Sequence, residues 1–160
     1  MKKKIIKAEV EVFENEDELS RNNRELLAAA KDAASRAYAP YSKFQVGAAL
    51  LLENGEIILG SNQENAAYPV TICAERTAIF AAATQFPDIP ILKIAITIIS
   101  PEANINRPVP PCGSCRQVIY ETELRYSKNI EIFMQGDHGI IYKVKSIKDL
   151  LPLLFDASFL

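Results

Sequence analysis

The sequence predicts an α/β fold: a three-layer α/β/α sandwich on a mixed five-stranded sheet whose last two strands are antiparallel. Three observations carry this. Phe44, Val46, Ala48, Leu50 and Leu52 alternate strictly into Asn54-Gly55, a two-residue hairpin turn, with Glu56 to Gly60 as the returning strand. From Gly60 onward the pattern reads strand, helix, strand, helix, strand, an order that sets strands parallel through right-handed crossovers with helices covering the sheet. Gly136-Asp137-His138-Gly139 is too short for a crossover, so Ile140 to Val144 must run back beside the strand before it.

Taken in order, Ile6, Val10 and Val12 suggest a short strand near the start, exposed or paired with a partner because its flanks are rich in Glu. Leu19, Leu26, Ala30, Ala33 and Ala37 follow helical spacing, with Asp17 as the cap and Pro40 as the stop. After the hairpin, Cys73, Arg76, Ala78, Ile79 and Ala83 mark a second helix ending before Pro87. Ile91 to Ile99 is then an almost continuous apolar run, as expected of a strand buried on both faces. Residues 100–111 read as an irregular loop. Cys115, Val118, Ile119 and Thr122 share a helix face, and Ile130, Ile132 and Met134 alternate as a strand. Ser146 caps a last short helix through Leu150 and Leu151, disturbed at Pro152. With no repeat, low-complexity tract or Gly/Ser linker, residues 1–160 are expected to form one domain, with 1–16 as an N-terminal extension.

At 160 residues and 49% apolar composition the chain can bury a core without disulfides, and three cysteines, an odd number, fit a reducing, cytoplasmic setting. Lys7, Glu9 and Glu11 interrupt the apolar run that an export signal needs, and no stretch approaches the roughly 20 apolar residues of a membrane helix. No membrane partner is expected. The net charge of −2, with scattered lysines and arginines, argues against a nucleic-acid polymer and for a small-molecule substrate.

Cys112-Gly113-Ser114-Cys115 offers two soft ligands in one tight loop, and Cys73 precedes a different helix. Alone, such a C-x-x-C also fits buried core cysteines or a redox pair. Both segments are expected at helix N-termini, where the dipole and free N–H groups favour thiolates. Arg76 and Arg116 then offset the surplus negative charge of three thiolates around Zn²⁺, or else sit in surface salt bridges. Three protein ligands leave a tetrahedral position open, the mark of catalytic zinc, and Glu75 is the candidate proton carrier. His138, as a fourth ligand, would instead close a structural site; a solvated turn is its other reading.

Four blocks closely resemble the cytidine deaminase family: Tyr41-Ser42-Lys43-Phe44-Gln45-Val46-Gly47-Ala48-Ala49, Asn62-Gln63-Glu64-Asn65-Ala66-Ala67-Tyr68-Pro69, Cys73-Ala74-Glu75-Arg76-Thr77-Ala78, and Pro111-Cys112-Gly113-Ser114-Cys115-Arg116-Gln117. The resemblance implies one Zn²⁺ per subunit on Cys73, Cys112 and Cys115. It implies hydrolytic attack at C4 of cytosine, with Glu75 passing protons to N3 and to the departing amine, a chemistry described for Cys₃ zinc deaminases. Uridine or 2′-deoxyuridine plus ammonia would result, a step of pyrimidine salvage. Asn62 and Glu64 would bind the ribose, Phe44 and Ala74 would line the nucleoside pocket, and a homotetramer would bring Ala66, Tyr68 and Phe155 into a neighbour's site. The plainer alternatives are loop capping for Asn62 and Glu64 and a core place for Phe155. Thr71 stands where the family often has glycine, and residues 103–110 bear on the pocket rim.

Two other readings share the zinc. A relaxed, blasticidin-type deaminase would not be expected to carry Asn62-x-Glu64-Asn65, and a zinc-stabilised binding module would need a fourth protein ligand. Deaminases of tRNA or single-stranded DNA tend to have histidine as first ligand and a helix between the last two strands; Cys73 and the 136–139 turn oppose both.

Overall fold

The structure is a computed structural model that describes residues 1–100 and 102–160. Its sheet has six strands: β1 (Glu11–Phe13), β2 (Gln45–Leu52), β3 (Ile57–Ser61), β4 (Ile91–Ile99), β5 (Glu131–Gln135) and β6 (Ile141–Val144), in spatial order β1-β6-β5-β4-β2-β3. The expected five-stranded sheet is thus corrected. The Val10/Val12 alternation forms a real strand because β6 gives it a partner, Val12 opposite Tyr142. That partner lies too far along the chain for a local pattern to show.

The sheet is mixed, with β4 and β5 parallel and β5 and β6 antiparallel. One detail of the expected order changes. β2 lies between β3 and β4 and is antiparallel to both, so β3 and β4 run the same way without touching. The hairpin is also longer than two residues. Gly55 donates its N–H to the Leu52 carbonyl at 3.0 Å and has φ of +88°, whereas Asn54 is not in the positive-φ region. The loop is therefore Glu53-Asn54-Gly55, a tight turn closed by a left-handed glycine.

Three α-helices cover the sheet: α1 (Arg21–Ser35), α2 (Ala74–Gln85) and α3 (Gly113–Tyr126). Ser20, not Asp17, caps α1, its Oγ accepting from the Asn23 N–H; Asp17 belongs to a preceding 3₁₀ turn capped by Asn15. Two hydroxyl or carboxylate caps three residues apart compete, and the buried Leu19 separates them. Leu26, Leu27 and Ala30 of α1 pack with Ala49, Ala95 and Phe133, while Ala78 and Ile79 of α2 and Ile119 of α3 pack with Ala48, Leu50, Ile94 and Ile132. Adjacent strand residues fall into different clusters, as the period of two requires. Two glycines permit close approach. A Cβ on Gly47 would lie 1.9 Å from the Ala30 carbonyl oxygen in α1, and one on Gly60 would lie 2.4 Å from that of Ala74 in α2.

Because β3 and β4 run the same way, the connections that follow them leave by the same end of the sheet. The N-termini of α2 and α3 therefore meet there, beside the beginning of β2. Ligands of open α/β sheets bind in this crevice, outside the carboxyl ends of the strands.

Candidate active site

Cys73 caps α2 and Cys112 caps α3, both with extended backbone (φ −76°, ψ 156° and φ −65°, ψ 166°). Neither side chain makes a capping bond to its helix backbone, so both sulfurs are free to turn toward the shared space. Cys115, one turn into α3, is fully buried and completes the group. The Cys73 and Cys112 sulfurs are 3.9 Å apart, Cys112 and Cys115 are 3.5 Å apart, and all three lie within 4.8 Å of one another. Zinc with bonds of about 2.3 Å in a tetrahedron holds sulfurs roughly 3.8 Å apart, so the donor set fits it. His138 is exposed and does not belong to this group.

The charges around the sulfurs are set for metal as well. A hydrogen bond from Cys115 draws the Cys73 thiol down to about 5, with help from Arg76 and Cys112 and against burial. Cys115 is pushed up by that same bond to Cys73, by its burial and by Glu75. Cys73 is then readily a thiolate while Cys115 holds its proton, which a metal ion must displace. Arg76 places Nη2 3.7 Å from the Cys73 sulfur and 3.4 Å from the Thr71 carbonyl, while its Nε is buried with no hydrogen-bond partner. Such an orphan donor is costly, and more negative charge on the sulfurs compensates it. Arg116 behaves differently, donating from Nε to the Pro111 carbonyl at 2.8 Å and from Nη1 to that of Leu150 at 2.7 Å. It braces the chain before Cys112. Neither arginine forms a surface ion pair among the described residues.

Glu75, in the first turn of α2, is 4% exposed. Burial first, and the neighbouring Cys73 charge, raise its pKa; its own backbone N–H, Cys115 and Arg76 oppose the rise. It lines a cavity of about 510 Å³ together with Cys73, Cys112, Phe44, Asn62 and Glu64. Six of the residues singled out in the sequence thus share one space.

At the far end of that space the polar groups are already bonded. The Asn62 amide accepts from the Val46 N–H at 2.7 Å and donates to the Phe44 carbonyl at 2.9 Å. The Glu64 carboxylate accepts from the backbone N–H groups of Tyr41 (2.9 Å) and Ser42 (3.3 Å) and from the Ser42 hydroxyl. That hydroxyl bond is the main cause of its lowered pKa; burial opposes it, and the two N–H bonds and Lys43 assist. Ala74 is buried beneath the first turn of α2. Ala66 is exposed, Tyr68 is exposed and meets Tyr41 edge-on at 6.1 Å, and Phe155 is exposed and stacks on Phe159 at 5.7 Å. These three are not brought to the cavity within one chain.

The sequence reading singled out neither Ser42 nor Ile96 as a cavity-lining residue, while Val109 and Pro110 lie in the stretch 103–110 that it placed at the rim. It also missed the bend at Lys43, whose φ of +56° is held by an N–H bond to the Ala39 carbonyl. Val109, Pro110 and Cys112 line the cavity, and the chain before them is anchored by Asp137, whose carboxylate accepts from the N–H groups of Ser100 (3.0 Å) and Ile105 (3.4 Å). The irregular loop expected over 100–111 includes Pro101, which lies outside the described residues.

Two helix N-termini bring three sulfurs within 4.8 Å of one another, two of them on a cavity that the buried Glu75 also lines, an arrangement that fits a metal-dependent hydrolytic site of the catalytic cysteine-zinc kind. The comparisons make this specific. Residues 20–128 match the family described as the cytidine and deoxycytidylate deaminase zinc-binding region. The chain belongs to that family. It is 42% identical over 134 residues to the cytidine deaminase of Halalkalibacterium halodurans, covering 83% of this chain and 93% of that one. It is 51% identical over 96 residues to the cytidine deaminase of Sporosarcina psychrophila, covering 60% and 66% of the two chains. Among solved structures, that of cytidine deaminase from Burkholderia pseudomallei superposes with a TM-score of 0.73 at 37% identity, covering 86% of this chain and all of that one.

Proposed function

We propose that this chain deaminates cytidine and 2′-deoxycytidine hydrolytically, giving the corresponding uridine and ammonia, with one zinc ion held by Cys73, Cys112 and Cys115. The observation that carries the reading is the cavity lined by Cys73, Cys112 and Glu75 at the meeting point of α2 and α3, with the Cys115 sulfur within 4.8 Å of the other two. When bound, zinc supplies a Lewis acid that lowers the pKa of water to about 7.

Everything else is the work of the chain. Glu75 takes the proton of the attacking water, delivers one to N3 of the cytosine ring and later protonates the amine leaving C4. A raised carboxyl pKa suits both halves of that relay, since an acid and a base of intermediate strength exchange protons most readily near neutral pH. Protonation of N3 removes charge that would otherwise build up on the ring as C4 becomes tetrahedral. Arg76 balances the sulfur charge, and Arg116 does so indirectly by fixing the segment before Cys112. Phe44 packs against the nucleoside, and Asn62 and Glu64 offer the ribose their remaining donor and acceptor positions.

We read residues 1–160 as one domain with a three-layer α/β/α arrangement, acting in the cytoplasm in pyrimidine salvage. Among the described residues no helix is long and apolar enough to cross a membrane. The exposure of Ala66, Tyr68 and Phe155 supports a homotetramer in which they complete a neighbour's site. The test is loss of cytidine ultraviolet absorbance, run beside Glu75→Ala with zinc quantified in both proteins. Activity in the wild type, with zinc retained and activity lost in the variant, is the expected result. A fully zinc-loaded wild type that acts on neither nucleoside would overturn the assignment.

A further inference from the structure

We propose that the outer edge of β1 is an interaction surface for a second copy of this chain, two such strands pairing antiparallel so that their sheets join. β1 stands at the end of the strand order, bonded to β6 on one side only. Its backbone therefore presents a row of unpaired groups, the template that another strand completes. The strand register continues past its formal start: Glu9 forms an ion pair with Lys145 at 3.5 Å, in step with Glu11 opposite Lys143. Residues 1–10 are exposed throughout, and Ile6, Val10 and Val12 form an uncovered apolar row on the face of alternate residues, beside the exposed Tyr142.

Charge decides which partner fits this edge. Lys2, Lys3, Lys4 and Lys7 precede the strand, while Glu14, Glu16 and Glu18 follow it, and none of these seven has an ion-pair partner among the described residues. A basic stretch before a strand and an acidic stretch after it are complementary to themselves when two copies run antiparallel. Centred on Glu9, the pairing sets Lys7 against the partner's Glu11 and carries Lys2 and Lys4 toward the bend and 3₁₀ turn that hold the partner's Glu14 and the partner's Glu16. It also sets Ile6 across from the partner's Val12 and Ala8 across from the partner's Val10. The one like-charge crossing, Glu9 with its own copy, is flanked by Lys145 from each chain. A contact of this kind is isologous and closes at two copies, so it doubles whatever assembly the rest of the chain forms.

The test is sedimentation of the full chain at low and high salt, beside a chain lacking residues 1–10 and two charge-reversed variants, Lys2→Glu/Lys4→Glu and Glu14→Lys/Glu16→Lys. The substituted side chains make no bonds within the chain, so deaminase activity serves as the control for folding. The wild type should sediment as a doubled particle that the truncation halves. Salt, or either reversal alone, should weaken association by roughly tenfold or more, as loss of several cross-strand pairs implies. Mixing the two reversed variants should restore it. A wild-type mass that the truncation leaves unchanged, reversed variants that associate like the wild type, or a mixture that does not recover would each overturn the proposal. Salt-sensitive capture of the lysine segment by anionic vesicles or RNA, without any doubling, would overturn it too.

Discussion

At one end of the cavity the sulfurs of Cys73, Cys112 and Cys115 contact one another, Arg76 reaches only the Cys73 sulfur among them, and the Nε of Arg76 has no partner. At the other end Asn62 and Glu64 are already bonded to the backbone of residues 41–46. The end proposed to hold the metal leaves its donors short of partners, whereas the end proposed to hold the sugar is a scaffold already bonded within the chain. The difference teaches where each kind of damage should show. Removing a group at the metal end costs chemistry, and removing one at the sugar end costs structure and binding together.

The largest expected effect lies at the metal end. Glu75→Gln should keep zinc and reduce kcat by roughly 10²–10⁴, the range of general acid–base catalysis, with little change in the midpoint of unfolding. Single-turnover deamination beside metal analysis checks this; loss of zinc in the variant would mean that the carboxylate helps build the cage. Cys112→Ser should act differently, lowering zinc occupancy and activity in proportion.

At the sugar end, Asn62→Ala leaves the Val46 N–H and the Phe44 carbonyl without their partner. Loss of these bonds should destabilise the protein by about 2–3 kcal/mol and raise KM, measurable by urea unfolding and steady-state kinetics. An unchanged midpoint with a raised KM would make Asn62 purely a substrate contact. In the metal-stripped protein, Cys73 should be the first thiol alkylated, with its rate rising through a pH near 5. Arg76→Ala should move that midpoint upward, read from rates of iodoacetamide modification against pH.

The smallest effect is expected far from both ends. Glu131 is pushed up by burial, but Lys143 and Lys93 overcome this and hold it below the usual carboxylate range. Its stabilising contribution is therefore full above the ordinary carboxyl pKa and is lost as pH falls through the lowered one. Glu131→Gln should flatten the acid limb of the melting curve by under about 4 °C and leave neutral activity unchanged.

The same contrast governs what could be read from the sequence. Cys73, Glu75, Cys112 and Cys115 were legible because short spacings and two helix starts bring their chemistry together. The partners of Asn62 lie 16 and 18 residues away, at Val46 on β2 and Phe44 just before it, and those of Glu64 lie 22 and 23 away, so polar loop residues were all the local pattern offered. β4 announced itself by apolar content and β6 by the short link before it. β1 was suggested by Val10 and Val12, but its place in the sheet becomes intelligible only beside Lys143 and Lys145. The position of β2 between β3 and β4 is likewise a matter of pairing and not of periodicity.

The bare contact between Gly60 and the first turn of α2 has a mechanical meaning. That turn carries both a proposed metal ligand and the proposed proton carrier, and its height above the sheet is set by backbone resting on backbone, with no rotamer between them to vary. A methyl group at Gly60 would have to lift the turn by about 1 Å to reach ordinary contact, and displacements of that size can cost a reaction about a hundredfold. The absence of a side chain thus works as a gauge block, fixing to a fraction of an ångström where a proton can be handed over.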